Sequence, residues 1–257
     1  MNRIDKLFSE KKQNVLNVYC TAGYPKLDST LQVLNALQQH GADLVEIGMP
    51  YSDPLADGPV IQHSGSVAIE NGMTMQVLFN QLKDVRKNGF DTPLILMGYM
   101  NPVLQFGIEN FCAAAESVGV DGIILPDLPM YEYETIYKQL FEKHNLKFIF
   151  LVTPETSEER IRKIDTLSSG FIYAVSSSST TGNNKAIGNQ EAYFNRLQQM
   201  DLKNPILVGF GIKDKATFQA ACKHTNGAII GSAYIQALNA ASNVDLVTKD
   251  FLNKVLQ

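Results

Sequence analysis

Several features that would divide or localise a chain are missing from this one. No apolar run approaches the roughly 20 residues that a membrane-spanning helix needs; the longest runs, such as 148–152, are far shorter. The opening stretch, Met1-Asn2-Arg3-Ile4-Asp5-Lys6-Leu7-Phe8, is polar and amphipathic and lacks the apolar core of a signal peptide. There are three cysteines, Cys20, Cys112 and Cys222, and no CxxC pair. That excludes a disulfide framework and is expected of reduced thiols in a cytoplasmic protein. Lys and Arg form no cluster, and the formal net charge is −4. Nucleic acid is therefore excluded as the main partner, and no membrane surface is expected. A local site for a small anion remains open. No linker, low-complexity tract or charge run divides the 257 residues, so 1–257 reads as a single domain.

What is present is a regular alternation. Short runs rich in Ile, Val, Leu, Phe and Tyr fall at 15–20, 44–49, 94–97, 122–125, 148–152, 171–175, 206–210 and 228–230. They are bounded by Gly, Pro, Asn or Asp, as strands are. Near-continuous apolarity means that both faces of each strand are covered. Between them lie segments with helical spacing: Leu31, Val33, Leu34 and Leu37, then Val77, Leu78, Leu82 and Val85. Ser157 before Glu158, Glu159 and Arg160 is an expected N-cap. Eight βα units imply an α/β fold with a parallel sheet, closed as a (β/α)8 TIM barrel. An open doubly wound sheet is the competing arrangement.

In a barrel the chemistry sits at the C-terminal ends of the strands and in the loops that follow. Glu46 stands out there. In Leu44-Val45-Glu46-Ile47-Gly48-Met49, alternation puts Leu44, Glu46 and Gly48 on one face and Val45 and Ile47 on the other. The apolar pair suits the helix-facing side, so Glu46 points into the barrel. Desolvation would raise its pKa toward the range of a proton carrier near neutrality. The competing reading is a salt bridge, but no strand run holds an inward basic partner. Asp57 follows in Tyr51-Ser52-Asp53-Pro54-Leu55-Ala56-Asp57-Gly58-Pro59, where Asp53 and Asp57 can equally serve as turn formers. Asp127, in Leu125-Pro126-Asp127-Leu128-Pro129, can be a cap or a functional group.

A second constellation suits phosphate. Gly209-Phe210-Gly211 ends the seventh run, and Gly231-Ser232 ends the eighth and opens a short extra helix. Barrels bind phosphate there, with backbone N–H groups and a helix N-terminus. Thr181-Gly182 can close the site from a third side.

Further absences narrow the reaction. No Lys lies well inside a strand run, which disfavours a Schiff base. His40, His63, His144 and His224 show no paired ligand spacing, so no metal is expected. There is no GxSxG elbow and no P-loop, and Gly209-Phe210-Gly211 continues as Ile212-Lys213-Asp214 without completing GxGxxG. What remains is acid–base chemistry by carboxylates on a phosphorylated substrate.

The stretch 44–62, LVEIGMPYSDPLADGPVIQ, closely resembles the signature of the tryptophan synthase α-subunit family. The resemblance runs along essentially the whole chain, through Thr21-Ala22-Gly23-Tyr24-Pro25, Met97-Gly98-Tyr99-Met100-Asn101-Pro102, Gly119-Val120-Asp121-Gly122 and Gly209-Phe210-Gly211-Ile212. It implies a lyase that cleaves indole-3-glycerol phosphate to indole and glyceraldehyde 3-phosphate. Glu46 would be the acid/base and Asp57 the partner of the indole N–H. Tyr173, Thr181, Tyr19, Met97, Ile124, Leu151 and Phe210 would position the substrate. Gly182, Gly211, Gly231 and Ser232 would hold the phosphate. Asp53 and Asp127 would lie at the contact with a β subunit in an α2β2 assembly. Pyridoxal phosphate would sit on that partner, and this chain would carry no cofactor. The alternatives are a catalytically weak subunit that mainly activates its partner, or another phosphate-binding barrel isomerase. One departure stands out. The family often has Ser-Arg-x-Gly in the sixth loop, where this chain has Ser176-Ser177-Ser178-Ser179-Thr180-Thr181-Gly182.

Overall fold

The structure, a computed structural model, describes residues 1–175, 186–209, 211–239 and 243–257, with the backbone alone for 186–191. Its strands are β1 (Val15–Thr21), β2 (Leu44–Gly48), β3 (Leu94–Met97), β4 (Gly122–Ile124), β5 (Lys147–Phe148), β6 (Leu151–Val152), β7 (Ile172–Val175), β8 (Ile206–Gly209) and β9 (Gly227–Ile230). All pairings are parallel, in the order β5-β4-β3-β2-β1-β9-β8-β7-β6.

The two ends of that order are halves of one expected strand. Only Ile149 and Phe150 separate β5 from β6. The Ile149 N–H donates to the Ile123 carbonyl on β4, and the Phe150 carbonyl accepts from the Tyr173 N–H on β7, both at 3.0 Å. One short run therefore joins both edges of the sheet and closes it. The eight expected strands are all found, the fifth split in two where it changes partner. The fold is the expected TIM barrel.

Strand alternation sorts the core into two layers. Val15, Leu44, Ile95, Ile124, Ile149, Tyr173, Leu207 and Ile229 fill the barrel interior. Val18, Val45, Ile47, Leu96, Ile123, Ala174, Val208 and Ile230 belong to the outer layer, under the surrounding helices. The N-terminal helix Arg3–Glu10 plugs the bottom. Its Ile4 and Phe8 join the interior cluster, and the Phe8 ring lies 6.1 Å from that of Phe171. That is why the opening of the chain is amphipathic.

The helical spacings are found as helices Ser29–Gln39 and Met75–Leu82, though Val85 falls in the turns beyond the second. Ser157 caps helix Glu158–Leu167, its hydroxyl accepting from the Arg160 N–H at 3.3 Å. After β9 the expected extra helix is Ser232–Asn239.

Candidate active site

Glu46 is fully buried, at 0% exposure, in the middle of β2. It pairs in register with Tyr19 of β1 and Ile95 of β3. Among the described residues no cation meets it, and the one donor is the Asn17 amide, whose Nδ2 lies 2.5 Å from Oε1. The second oxygen, Oε2, has no partner among the described residues. Burial pushes the carboxyl up to about 8, and the Asn17 hydrogen bond holds it back. At neutral pH the group is mainly a neutral acid, able to give a proton and take one back.

The Tyr19 ring crosses β2 at Gly48, one inward position above Glu46; a Cβ on Gly48 would collide with the Tyr19 phenol. Tyr173 does the same across the barrel, where a Cβ on Gly209 would collide with its phenol. These two glycines make room for two aromatic rings. Gly209 thus has a packing reason separate from any anion. Burial raises both phenols well above their ordinary pKa, so they stay neutral.

The loop after β2 turns on backbone bonds, Leu55 N–H to Asp53 O at 2.9 Å and Asp57 N–H to Pro54 O at 3.0 Å. Gly58 caps helix Pro59–Glu70, whose first residue is proline. The Asp57 side chain is not used for the turn. Its Oδ2 accepts from the Tyr99 hydroxyl at 2.9 Å, and that hydroxyl accepts from the Ala56 N–H at 3.1 Å. Partial burial raises the Asp57 carboxyl, and the Tyr99 hydroxyl opposes the rise.

Above these groups lies a cavity of ≈ 240 Å³. Asp57, Tyr19, Tyr173, Met97, Gly211, Gly231 and Ser232 are among the residues that line it. Gly211 has φ 78°, a conformation that favours glycine. Helix Ser232–Asn239 opens at this wall, and the first N–H groups of a helix lack intrahelical acceptors. The cavity wall thus combines N–H groups that suit an anion with aromatic and apolar side chains beside a carboxylate that suit an aromatic ring. Ile124 and Leu151 pack in or against the interior cluster and are not among the residues lining this cavity. Thr181, Gly182, Phe210 and the loop 177–185 lie outside the described residues. Asp53 is exposed and accepts from the Ser52 hydroxyl. Both oxygens of Asp127 accept from the Met100 N–H at 3.0 Å, so it caps the neighbouring helix Met100–Phe106 and not its own.

Sequence reasoning passed over Asn17, Tyr99 and Lys213. Asn17 was open to the test that found Glu46, a polar residue at an inward position within an apolar run. Lys213 was visible next to Gly211-Ile212, and it lines the cavity. Tyr99 carried no comparable signal, because only the folded loop brings it to Asp57.

The profile described as Tryptophan synthase alpha chain matches residues 6–255. The chain belongs to that family. A tryptophan synthase alpha chain from Parabacteroides distasonis is 54% identical over 241 residues, 93% of each chain. One from Flavobacterium psychrophilum is 52% identical over 247 residues, 95% of this chain and 97% of the relative. Among solved structures, the tryptophan synthase alpha chain of Legionella pneumophila superposes with a TM-score of 0.88 at 33% identity, covering 99% of this chain and 96% of that one. The family's signature segment, 44–62, is the segment that carries both carboxyls, from mid-strand Glu46 to the loop at Asp57. No group of three or more His, Cys, Asp or Glu is placed to hold a metal among the described residues. No helix among them is long and apolar enough to cross a membrane.

Proposed function

We propose that this member of the tryptophan synthase alpha family, a lyase, cleaves indole-3-glycerol phosphate to indole and glyceraldehyde 3-phosphate. Glu46 moves the protons and Asp57 binds the indole N–H. The observation that carries this reading is a pair of carboxyls in unlike surroundings, Asp57 in the cavity wall and Glu46 buried on β2 beside Tyr19, which lines that wall. Glu46 is dry and held up to about 8, while Asp57 is half-buried with a hydroxyl donor that favours its charged form. Paired carboxyls with separated proton affinities divide acid and charge-stabilising roles.

Neutral Glu46 protonates C3 of the indole ring. Positive charge then develops at the ring nitrogen and is met by Asp57. The Glu46 carboxylate so formed takes the proton of the side-chain hydroxyl next to the ring. The C–O bond becomes C=O, the bond to C3 breaks, and its electron pair returns to the indole. Glu46 ends protonated, as it began. Its oxygen must reach past the Tyr19 ring for both transfers. The phosphate end would be held by N–H groups at Gly211, Gly231 and Ser232. Tyr19, Tyr173 and Met97 would position the ring, with Ile124 and Leu151 behind them, and Thr181, Gly182 and Phe210 would complete the walls.

A β subunit, in an α2β2 assembly, would dock on the loops above the cavity. Leu55 is 91% exposed, and Leu104, Tyr131 and Ile136 are exposed too, after β2, β3 and β4 in turn. Exposed apolar side chains on the segments that follow three successive strands are suited to burial by a partner. Asp53 and Asp127 lie on two of those segments. Pyridoxal phosphate belongs to that partner, and this chain works without a cofactor. We read 1–257 as one domain of a cytoplasmic protein whose three cysteines are unpaired.

The test is indole release from indole-3-glycerol phosphate, with and without a β subunit. Release in either condition supports the lyase reading, and its absence in both overturns it. With neutral Glu46 as the starting acid, turnover should hold at neutral pH and fall as pH rises through about 8.

A further inference from the structure

Asn17 has a place in the barrel that packing alone does not explain. It lies on β1 at 0% exposure, two residues before Tyr19 and so on the same inward face. Its interior neighbours Val15, Leu44 and Ile229 are apolar, and a valine or leucine would fit that layer without desolvating an amide. Its Nδ2 donates to Glu46 Oε1 at 2.5 Å. Two polar atoms of this same pair, Asn17 Oδ1 and Glu46 Oε2, are buried with no partner among the described residues. An amide and a carboxyl thus meet through one contact in a dry interior, each leaving one oxygen over.

We propose that Asn17 is a positioning residue for Glu46: its amide holds Oε1 and leaves Oε2 as the oxygen that exchanges protons with the substrate. This rests on the reading of Glu46 as the acid/base. The contact has a second consequence. An N–H donor favours the charged carboxylate, so Asn17 works against the desolvation that raises the group. Without the amide, Glu46 would hold its proton to higher pH.

Tyr19, Tyr173, Cys20 and Asp57 are the other titratable groups around the site. Tyr19 on β1 and Tyr173 on β7 are phenols raised well above their ordinary value by burial. The Cys20 thiol, also on β1, is pushed up to about 12. Asp57, in the loop after β2, is raised by burial and held back by Tyr99. None of them gains a donor or loses one when Asn17 is replaced.

The test is Asn17→Leu, close in size and without a donor. The Glu46 carboxyl is followed by 13C NMR titration in the intact chain and assigned by its loss in Glu46→Gln. The expected result is a titration midpoint moved upward from about 8. Turnover should fall about tenfold to a hundredfold with KM within about threefold, since only the proton step is touched. The alkaline limb of the pH–rate profile should move in the same direction as the titration. A midpoint and profile that stay at the wild-type position overturn the proposal and leave Asn17 a packing residue. Should Asn17→Leu fail to fold, Asn17→Val, which is smaller and also lacks a donor, is read by the same titration. A displaced midpoint supports the proposal, and an unmoved midpoint with an unmoved profile overturns it. Failure of the underlying reading looks different: Glu46→Gln would then keep its turnover, whatever Asn17 does to the titration.

Discussion

Glu46 and Asp121 are two carboxyls buried in one barrel and treated in opposite ways. Asp121, 3% exposed, sits just before β4 at the bottom of the barrel. Four donors reach its two oxygens: the Arg3 N–H at 3.4 Å, Arg3 Nη1 at 3.1 Å, Arg86 Nη2 at 2.8 Å and the Leu94 N–H at 2.9 Å. The Arg86 guanidinium also binds the carbonyls of Gly119, Phe90 and Thr92, and burial still lowers it to about 10. Glu46 has one neutral donor and an oxygen left over. A carboxylate saturated with donors has a settled charge and holds parts together. One starved of donors keeps its proton until a substrate offers something better. In this barrel the first kind lies at the closed end and the second beside the cavity.

The widest gap between the two should show in activity. Glu46→Gln keeps shape and loses the exchangeable proton; indole release should fall by about three to four powers of ten with the fold intact. Near-normal turnover would erase the distinction drawn here. Asp57→Asn should lower kcat by about two to three powers of ten, because a neutral amide no longer offsets charge at the ring nitrogen. Tyr99→Phe, which removes only the hydroxyl that bonds Asp57, should do less, about tenfold.

Stability should separate the pair the other way. Asp121→Ala strands Arg86 beside carbonyls without its counter-ion and should cost about 3–5 kcal/mol in urea unfolding. The protein that remains folded should turn over normally, since Asp121 is far from the cavity wall. Glu46→Gln should instead be stabilising. The folded midpoint, about 8, lies above the ordinary value of 4.5. The group's contribution is therefore fully present below pH 4.5 and is lost as pH rises to about 8. The gain of Glu46→Gln over wild type should grow across that window, to on the order of 5 kcal/mol. A gain that does not depend on pH would mean that Glu46 is solvated in the free protein. Arg3→Ala is the smallest test. Its side chain is 38% exposed and Arg86 remains, so less than about 1 kcal/mol should be lost. A larger loss would show that the bottom cluster acts as one unit with the helical plug.

Most of the barrel was legible from the order of residues. Eight short apolar runs become the eight strands because a parallel strand buried on both faces needs little beyond apolarity. Alternation in Leu44-Val45-Glu46-Ile47-Gly48 was enough to aim Glu46 inward, because the period of a strand is local geometry. The same test, applied at Asn17, would have aimed it inward too, though its partner could not be read. Asp127 looked like a cap for its own helix and caps another, a choice that the sequence leaves open because the acceptor and donor lie 27 residues apart.

The sequence by itself determined the strands, the inward carboxyl and, through the stretch 44–62, the family. Only the tertiary structure decided what surrounds that carboxyl. The Asn17 amide that holds it and the Tyr19 ring above it come from β1, and the Tyr99 hydroxyl on Asp57 comes from the segment after β3. Contacts of that kind depend on register and closure, and no spacing along one segment encodes them.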